Sequence, residues 1–125
     1  MDRLEKVATR QTLRLTHYGR KSGKPYEVTI WFVVEGDRVF VGTANVDRQW
    51  VRNVQKDPKV GLAIGGERFE GKAFFLDDQA RHKHIQALML RKYWMYSPIL
   101  VLGRMLMGIG LLQDHSGSFE VILNG

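Results

Sequence analysis

Apolar and polar positions first alternate along Thr12–Thr16, where Leu13 and Leu15 fall between Thr12, Arg14 and Thr16. That period of two is the pattern of a half-buried strand. Ahead of it, Asp2–Arg10 spaces Leu4 and Val7 for a short helix or arm that touches the core once. Val28–Val34 is apolar on both faces and β-branched or aromatic almost throughout, which predicts a central strand. Glu35–Arg38 then reads as a tight hairpin turn and Arg38–Thr43 as the returning strand. Over Asn45–Gln55 the period changes. Asp47 can cap a short helix whose Trp50, Val51 and Val54 share one face, and Pro58 stops it.

Lys59–Ile64 and Arg68–Leu76 read as two more strands joined at Gly65-Gly66. Asp77 and Asp78 are good cap residues for the longest helical pattern, in which Ile85, Leu88, Met89, Tyr93 and Tyr96 recur at helical spacing. Ser97-Pro98 breaks it. Ile99–Leu112 is apolar nearly all round, with Arg104 its one charge, but falls far short of the roughly 20 residues that span a bilayer. After Ser116–Ser118 a last strand runs over Phe119–Leu123. Antiparallel hairpins closed by a late strand favour a barrel, because closure removes exposed edges. The expected fold is α+β, mainly β: a six-stranded antiparallel split β-barrel with flanking helices, formed by residues 1–125 as a single domain.

Composition narrows the function. At 44% hydrophobic and 26% charged residues, the chain is globular rather than disordered. It has no cysteine, which rules out disulfides, thiolate metal sites and a cysteine nucleophile and suits a cytoplasmic location. Its net charge of +6 points to an anionic partner. His82 and His84 are two apart and would face different ways on a helix, so no metal site is expected. No aromatic-interleaved strand of the known RNA modules is present, and nucleic acid is not the expected partner.

Two stretches carry candidate chemistry. In Thr16–Tyr26 (Thr-His-Tyr-Gly-Arg-Lys-Ser-Gly-Lys-Pro-Tyr), Gly19 and Gly23 free the backbone and Pro25 blocks a helix, so neither helix nor strand is expected there. Arg20, Lys21, Ser22 and Lys24 put three fixed charges and a hydroxyl in that turn, the composition of a phosphate-holding loop and equally of a solvated hairpin loop. Thr43–Asn53 runs from a strand end into a helix start, where unpaired N–H groups attract anions. Arg48 and Arg52 add charge one turn apart. Trp50 could stack on a flat ring or anchor the helix in the core.

Together the stretches resemble the deazaflavin-dependent nitroreductase-like family of the split β-barrel, flavin-binding group. The matching residues are Gly19-Arg20-Lys21-Ser22-Gly23-Lys24-Pro25, the strand-end Thr43-Ala44, Trp50-Val51-Arg52-Asn53-Val54 and Asp57-Pro58-Lys59-Val60, over roughly residues 12–76. The resemblance implies coenzyme F-420, whose tail carries a phosphodiester and several glutamates, with FMN as the alternative cofactor. It implies a cofactor site of Arg20, Lys21, Ser22, Gly23, Lys24, Thr43, Ala44, Asn45, Arg48, Trp50 and Asn53, and places the catalytic pair Tyr93 and Tyr96 near the substrate. The implied reaction is hydride transfer from the reduced cofactor to a small molecule: a quinone, a nitro compound or an activated alkene.

The sequence departs from the family at Ala44–Asp47, where relatives carry a glycine-rich or lysine-bearing turn, and at Tyr26, often Arg in relatives. The apolar Ile99–Leu112 segment keeps a second reading open, a non-catalytic carrier of a fatty acid or other apolar ligand on the same barrel. It also leaves open peripheral membrane contact and a homodimer.

Overall fold

Alternation along the first strand puts Leu13, Leu15 and His17 on its buried face and turns Arg14 outward to solvent. This is the computed structural model of the chain, and it describes residues 3–43, 46–96 and 117–124. The elements are α1 (Arg3–Val7), β1 (Leu13–Tyr18), β2 (Pro25–Ile30), β3 (Phe32–Glu35), β4 (Arg38–Thr43), α2 (Gln49–Lys56), β5 (Lys59–Ile64), β6 (Glu67–Phe75), α3 (Gln79–Tyr96) and β7 (Gly117–Leu123). All the paired strands are antiparallel, in the order β2-β1-β5-β6-β7-β4-β3. The two end strands of that order, β2 and β3, are separated in the chain only by Trp31. The curled sheet therefore closes on itself through one bend of the backbone.

The expected mainly-β split barrel is the fold, with seven strands among the described residues rather than six. The extra strand comes from Val28–Val34, expected as one central strand. It divides at Trp31 into β2, which pairs with β1, and β3, which pairs with β4. The apolar run arises because β3 is covered on both sides: Phe32 faces the barrel core and Val33 faces a second cluster with Phe40, Leu76 and Ile85. β2 is largely exposed along its length. The β1–β2 ladder also reaches His17↔Tyr26 and Tyr18↔Pro25, so the irregular part of the basic stretch is only residues 19–24.

The barrel core joins Leu13, Leu15, Phe32, Val39, Val41, Val60, Leu62, Ile64, Phe119 and Val121 to Trp50, Val51 and Val54 of α2. Helix α2 thus packs into the barrel, with Trp50 tilted against Phe119 at 5.4 Å between ring centroids. Leu4 and Val7 of α1 join the same core, as expected. Asp47 does not cap α2; the cap position is Arg48, in extended backbone and without a side-chain cap bond.

Helix α3 lies over β3, β4 and β7 through Ile85, Leu88 and Met89. Polar contacts fix it further: Arg81 reaches Glu120 at 3.2 Å, His82 bonds Ser118 at 2.8 Å and His84 bonds Glu35 at 2.8 Å. Burial raises the Glu120 pKa, but its hydrogen bond to Arg38 and the nearby Arg81 charge outweigh that and hold the carboxyl below its ordinary value. At the α3 start, the Asp78 carboxylate accepts the Ala80 N–H at 2.9 Å. The apolar segment Ile99–Leu112 lies outside the described residues.

Gly71 marks the tightest backbone approach, between β6 and β7, where a Cβ would overlap the Ile122 carbonyl. Backbone on both sides leaves nothing flexible to give way. Gly71→Ala is expected to cost about 3 kcal/mol or more, read as a lowered urea midpoint. An unchanged midpoint would show that β6 and β7 can separate at this point.

Candidate functional site

Residues 19–24 connect β1 to β2 and fold back on themselves. The Gly19 N–H donates to the Lys24 carbonyl at 2.9 Å and the Gly23 N–H to the Gly19 carbonyl at 3.0 Å. The Lys24 N–H donates to Ser22 Oγ at 3.2 Å. Gly23 supplies the positive φ, +70°, that this closure needs. Three loop N–H groups are thereby used inside the turn rather than aimed outward, so attraction for an anion here rests mainly on the side chains. Lys21, Ser22 and Lys24 are exposed.

Arg20 behaves differently. Its Nη1 donates to Asn53 Oδ1 at 3.0 Å and its Nη2 to Gln49 Oε1 at 3.0 Å. Asn53 is buried on α2 and its Nδ2 meets His17 Nδ1 at 2.9 Å. A polar chain therefore runs from the loop, through the helix, to the inward face of β1. His17 is buried too, 5.9 Å from the Tyr26 ring and nearly parallel to it, and burial lowers its pKa. Arg20 and Asn53 are the members read from sequence as cofactor contacts; the structure shows Asn53 as the link that holds the loop to the helix.

Gln49 is the first residue of α2, so Arg20 holds the loop beside that helix start and beside Arg48. The helix begins with no side-chain cap bond from Arg48 and no acidic residue in its first turn, an end that carries partial positive charge. Arg52, one turn on, is loosely paired with Asp47 at 3.9 Å. Arg20 thus brings the loop that carries the exposed Lys21 and Lys24 to the start of α2, which Arg48 precedes. Thr43, at the end of β4, is buried and opposite Gly117 of β7. Ala44 and Asn45, between Thr43 and this helix, lie outside the described residues. Trp50 is 4% exposed and sits in the core, so its ring anchors α2 and is not open for stacking on a ligand.

Tyr93, expected beside the substrate, is also buried. Its hydroxyl accepts the Phe32 N–H at 3.1 Å and is in donating reach of the Gln11 and Phe32 carbonyls. The β1–β2 register ends at Leu13↔Ile30, so Gln11 and Phe32 are where the ladder parts as β3 turns towards β4. The phenol replaces the lost ladder bonds. Trp31, at the bend, stacks on the Tyr93 ring at 4.0 Å and 8°. Lys92 closes the cluster, donating to the Phe32 carbonyl at 2.9 Å with Nζ 3.6 Å from the Phe32 ring centroid; burial lowers its pKa to about 8. Tyr93 is thus a tether of the barrel closure. The Tyr96 side chain lies outside the described residues.

His17, Gln49, Trp31 and Lys92 were not singled out in the sequence. Period-2 alternation places His17 on the Leu13–Leu15 face, a signal for a buried histidine. Gln49 stands out only once Arg20 is seen to reach it. Among the described residues no three metal-ligating side chains converge, and no helix is long and apolar enough to cross a membrane.

A family model described as F-420H(2)-dependent quinone reductase matches residues 3–98. Among solved structures, one described as F-420-H2 dependent reductase (FDR-A) is 22% identical, with 90% of this chain and 95% of that chain covered and a TM-score of 0.67. Another, described as a domain-swapped dimer, is 22% identical over 95% of this chain and 90% of the other, with a TM-score of 0.68. A conserved hypothetical protein, Rv2991, from Mycobacterium tuberculosis is 15% identical over 98% of this chain and 79% of its own, with a TM-score of 0.73. At these identities the structures establish the shared fold. No curated protein matches by sequence.

Two outcomes follow from the cluster at the bend. Tyr93→Phe leaves the Phe32 N–H and the Gln11 carbonyl without their bridge and should lower folding stability by about 1–3 kcal/mol in urea unfolding. No change would mean that other groups satisfy both. For Lys92, the folded chain favours the neutral amine, so between about 8 and the ordinary 10.5 the unfolded chain binds more protons. Its contribution should therefore make stability rise with pH across that window, and Lys92→Met should flatten the rise. Parallel profiles for the two proteins would contradict this.

Proposed function

The chain belongs to the family of F-420H(2)-dependent quinone reductases, oxidoreductases whose cofactor is reduced F-420, and on that premise we propose that it passes a hydride to a quinone. Nitro compounds and activated alkenes are the further acceptors in this proposal. The observation that carries it is the hold of Arg20 on Gln49 and Asn53, which docks the loop bearing Lys21 and Lys24 on the first turns of α2, next to its cap residue Arg48. A phosphodiester with a glutamate tail needs such a cluster of fixed positive charges, and the donor set fits it.

Each residue has a distinct part. Lys21 and Lys24 neutralise the anionic tail, with Ser22 and Gly23 shaping the turn that presents them. Arg48 and the first N–H groups of α2 add attraction at the helix start. Arg20 fixes the loop and keeps N–H groups beyond those given to Asn53 and Gln49. Thr43, the last residue of β4, is proposed beside the flat ring, together with Ala44 and Asn45, which follow it in the sequence. When bound, the reduced deazaflavin supplies the hydride; the protein orients it and excludes water. Reduction of a quinone to its hydroquinone also takes up a proton, which the Tyr93 hydroxyl, bonded to backbone, is not placed to give; Tyr96 is kept as the aromatic residue proposed near the acceptor. A homodimer belongs to the same proposal, and sedimentation equilibrium reads it directly.

Titration with oxidised F-420, followed by cofactor fluorescence, tests the reading. Lys21→Ala and Lys24→Ala should each weaken binding about tenfold, the scale of one charge-assisted contact. Affinity should also fall as salt rises. Wild-type affinity in both variants would remove the loop from the site. Tighter binding of FMN than of F-420 would change the electron source.

A further inference from the structure

The chain Arg20–Asn53–His17 has a direction that the chemistry of its members fixes. A guanidinium only donates hydrogen bonds, so the group facing Arg20 must be the Asn53 oxygen. The Asn53 amide nitrogen then faces His17 and donates, and His17 Nδ1 must accept. An accepting Nδ1 places the imidazole proton on Nε2. An imidazolium has an N–H at both positions and no acceptor, so it cannot complete the chain.

We propose that His17 is a positioning residue for anion binding: as the neutral imidazole, acting through Asn53, it holds Arg20 and the 19–24 loop in the receptive conformation. This rests on the reading of the loop as the cofactor's anion site. The consequence is that cofactor affinity is linked to the protonation of a side chain on the barrel's inward face.

The surroundings of His17 support this. From β2 the Tyr26 ring lies over it, from α2 comes the Asn53 amide, and beyond that amide is the Arg20 guanidinium. Among the described residues no carboxylate pairs with His17 to stabilise its charged form. A proton there breaks an acceptor and adds a like charge near Arg20, and burial already disfavours it. The sign follows. The folded value lies below the ordinary 6.5, so the bond is intact above that pH and is lost as pH falls through the lowered folded value. Simple attraction between an extra positive charge and an anionic ligand predicts the reverse, tighter binding in acid. The two effects therefore differ in sign.

Three measurements separate the outcomes. Nitrogen NMR at neutral pH should show His17 as the Nε2–H tautomer; an Nδ1–H tautomer would overturn the proposal. Amide exchange of the protein alone should show the Gly19 and Gly23 N–H groups opening faster as pH falls, after correction for intrinsic exchange. His17→Gln, which offers an acceptor that does not titrate, should abolish that acceleration, and an unaltered acceleration would overturn the proposal. F-420 titrations between about pH 8 and about pH 5 should then show wild-type affinity falling about fivefold relative to His17→Gln. The ratio at each pH cancels any titration of the cofactor. His17→Leu, with no acceptor, should bind weakly throughout. Binding that tightens in acid, or parallel wild-type and His17→Gln profiles, would overturn the linkage. A loop that opens in acid while F-420 binds at no pH would leave the relay standing as structure and remove its role in cofactor binding together with the anion-site reading.

Discussion

The barrel depends on one phenol. Where the β1–β2 ladder ends, the backbone must leave β1 and turn at Trp31 to join β4, and that turn removes ladder partners from Gln11 and Phe32. The Tyr93 hydroxyl, carried by α3, supplies a bridge between them. Unpaired, each buried backbone group would weaken the closure on the scale of a lost hydrogen bond. Stacking of Trp31 on the same ring fixes the bend, and the rest of the sheet closes around it. Helix α3 is in turn held over β3, β4 and β7 by an apolar patch and by Arg81, His82 and His84.

Closure has a consequence at the basic loop. Because α2 fills the barrel with Trp50, Val51 and Val54, its polar edge carries Gln49 and Asn53 past the mouth of β1. The loop between β1 and β2 docks on that edge by a single arginine. One of the basic residues of the loop is thus structural, while Lys21 and Lys24 remain in water. The division has an energetic logic: a buried amide such as Asn53 must have partners, and an exposed lysine keeps its charge available for a ligand.

Much of this was legible in the sequence. Alternation placed β1, and turn signals placed β4, β5 and β6, within a residue or two, and the spacing of Ile85, Leu88 and Met89 gave the packed face of α3. The basic loop and the Trp-to-Asn spacing carried the family. What was not legible depended on tertiary partners. Val28–Val34 reads as one strand because nothing local marks Trp31 as a bend; the cause is Tyr93, sixty-two positions later in the chain. Asp47 has the right chemistry for a cap, but the helix starts one residue too late for it. Trp50 could serve a ligand or the core, and contact with Phe119 decided for the core. Arg20 looked like its neighbours Lys21 and Lys24 until Gln49 and Asn53 were found beside it.

The proposed activity of this barrel is hydride transfer from reduced F-420 to a quinone. The most direct measurement is a single turnover without oxygen: protein loaded with reduced F-420 is mixed with menadione while the oxidised deazaflavin absorbance is followed. One oxidised F-420 should appear per menadione reduced, at a rate far above that of the two reagents without protein. Reduced F-420 that binds tightly yet is oxidised no faster than in buffer would contradict the claim and leave a binding protein.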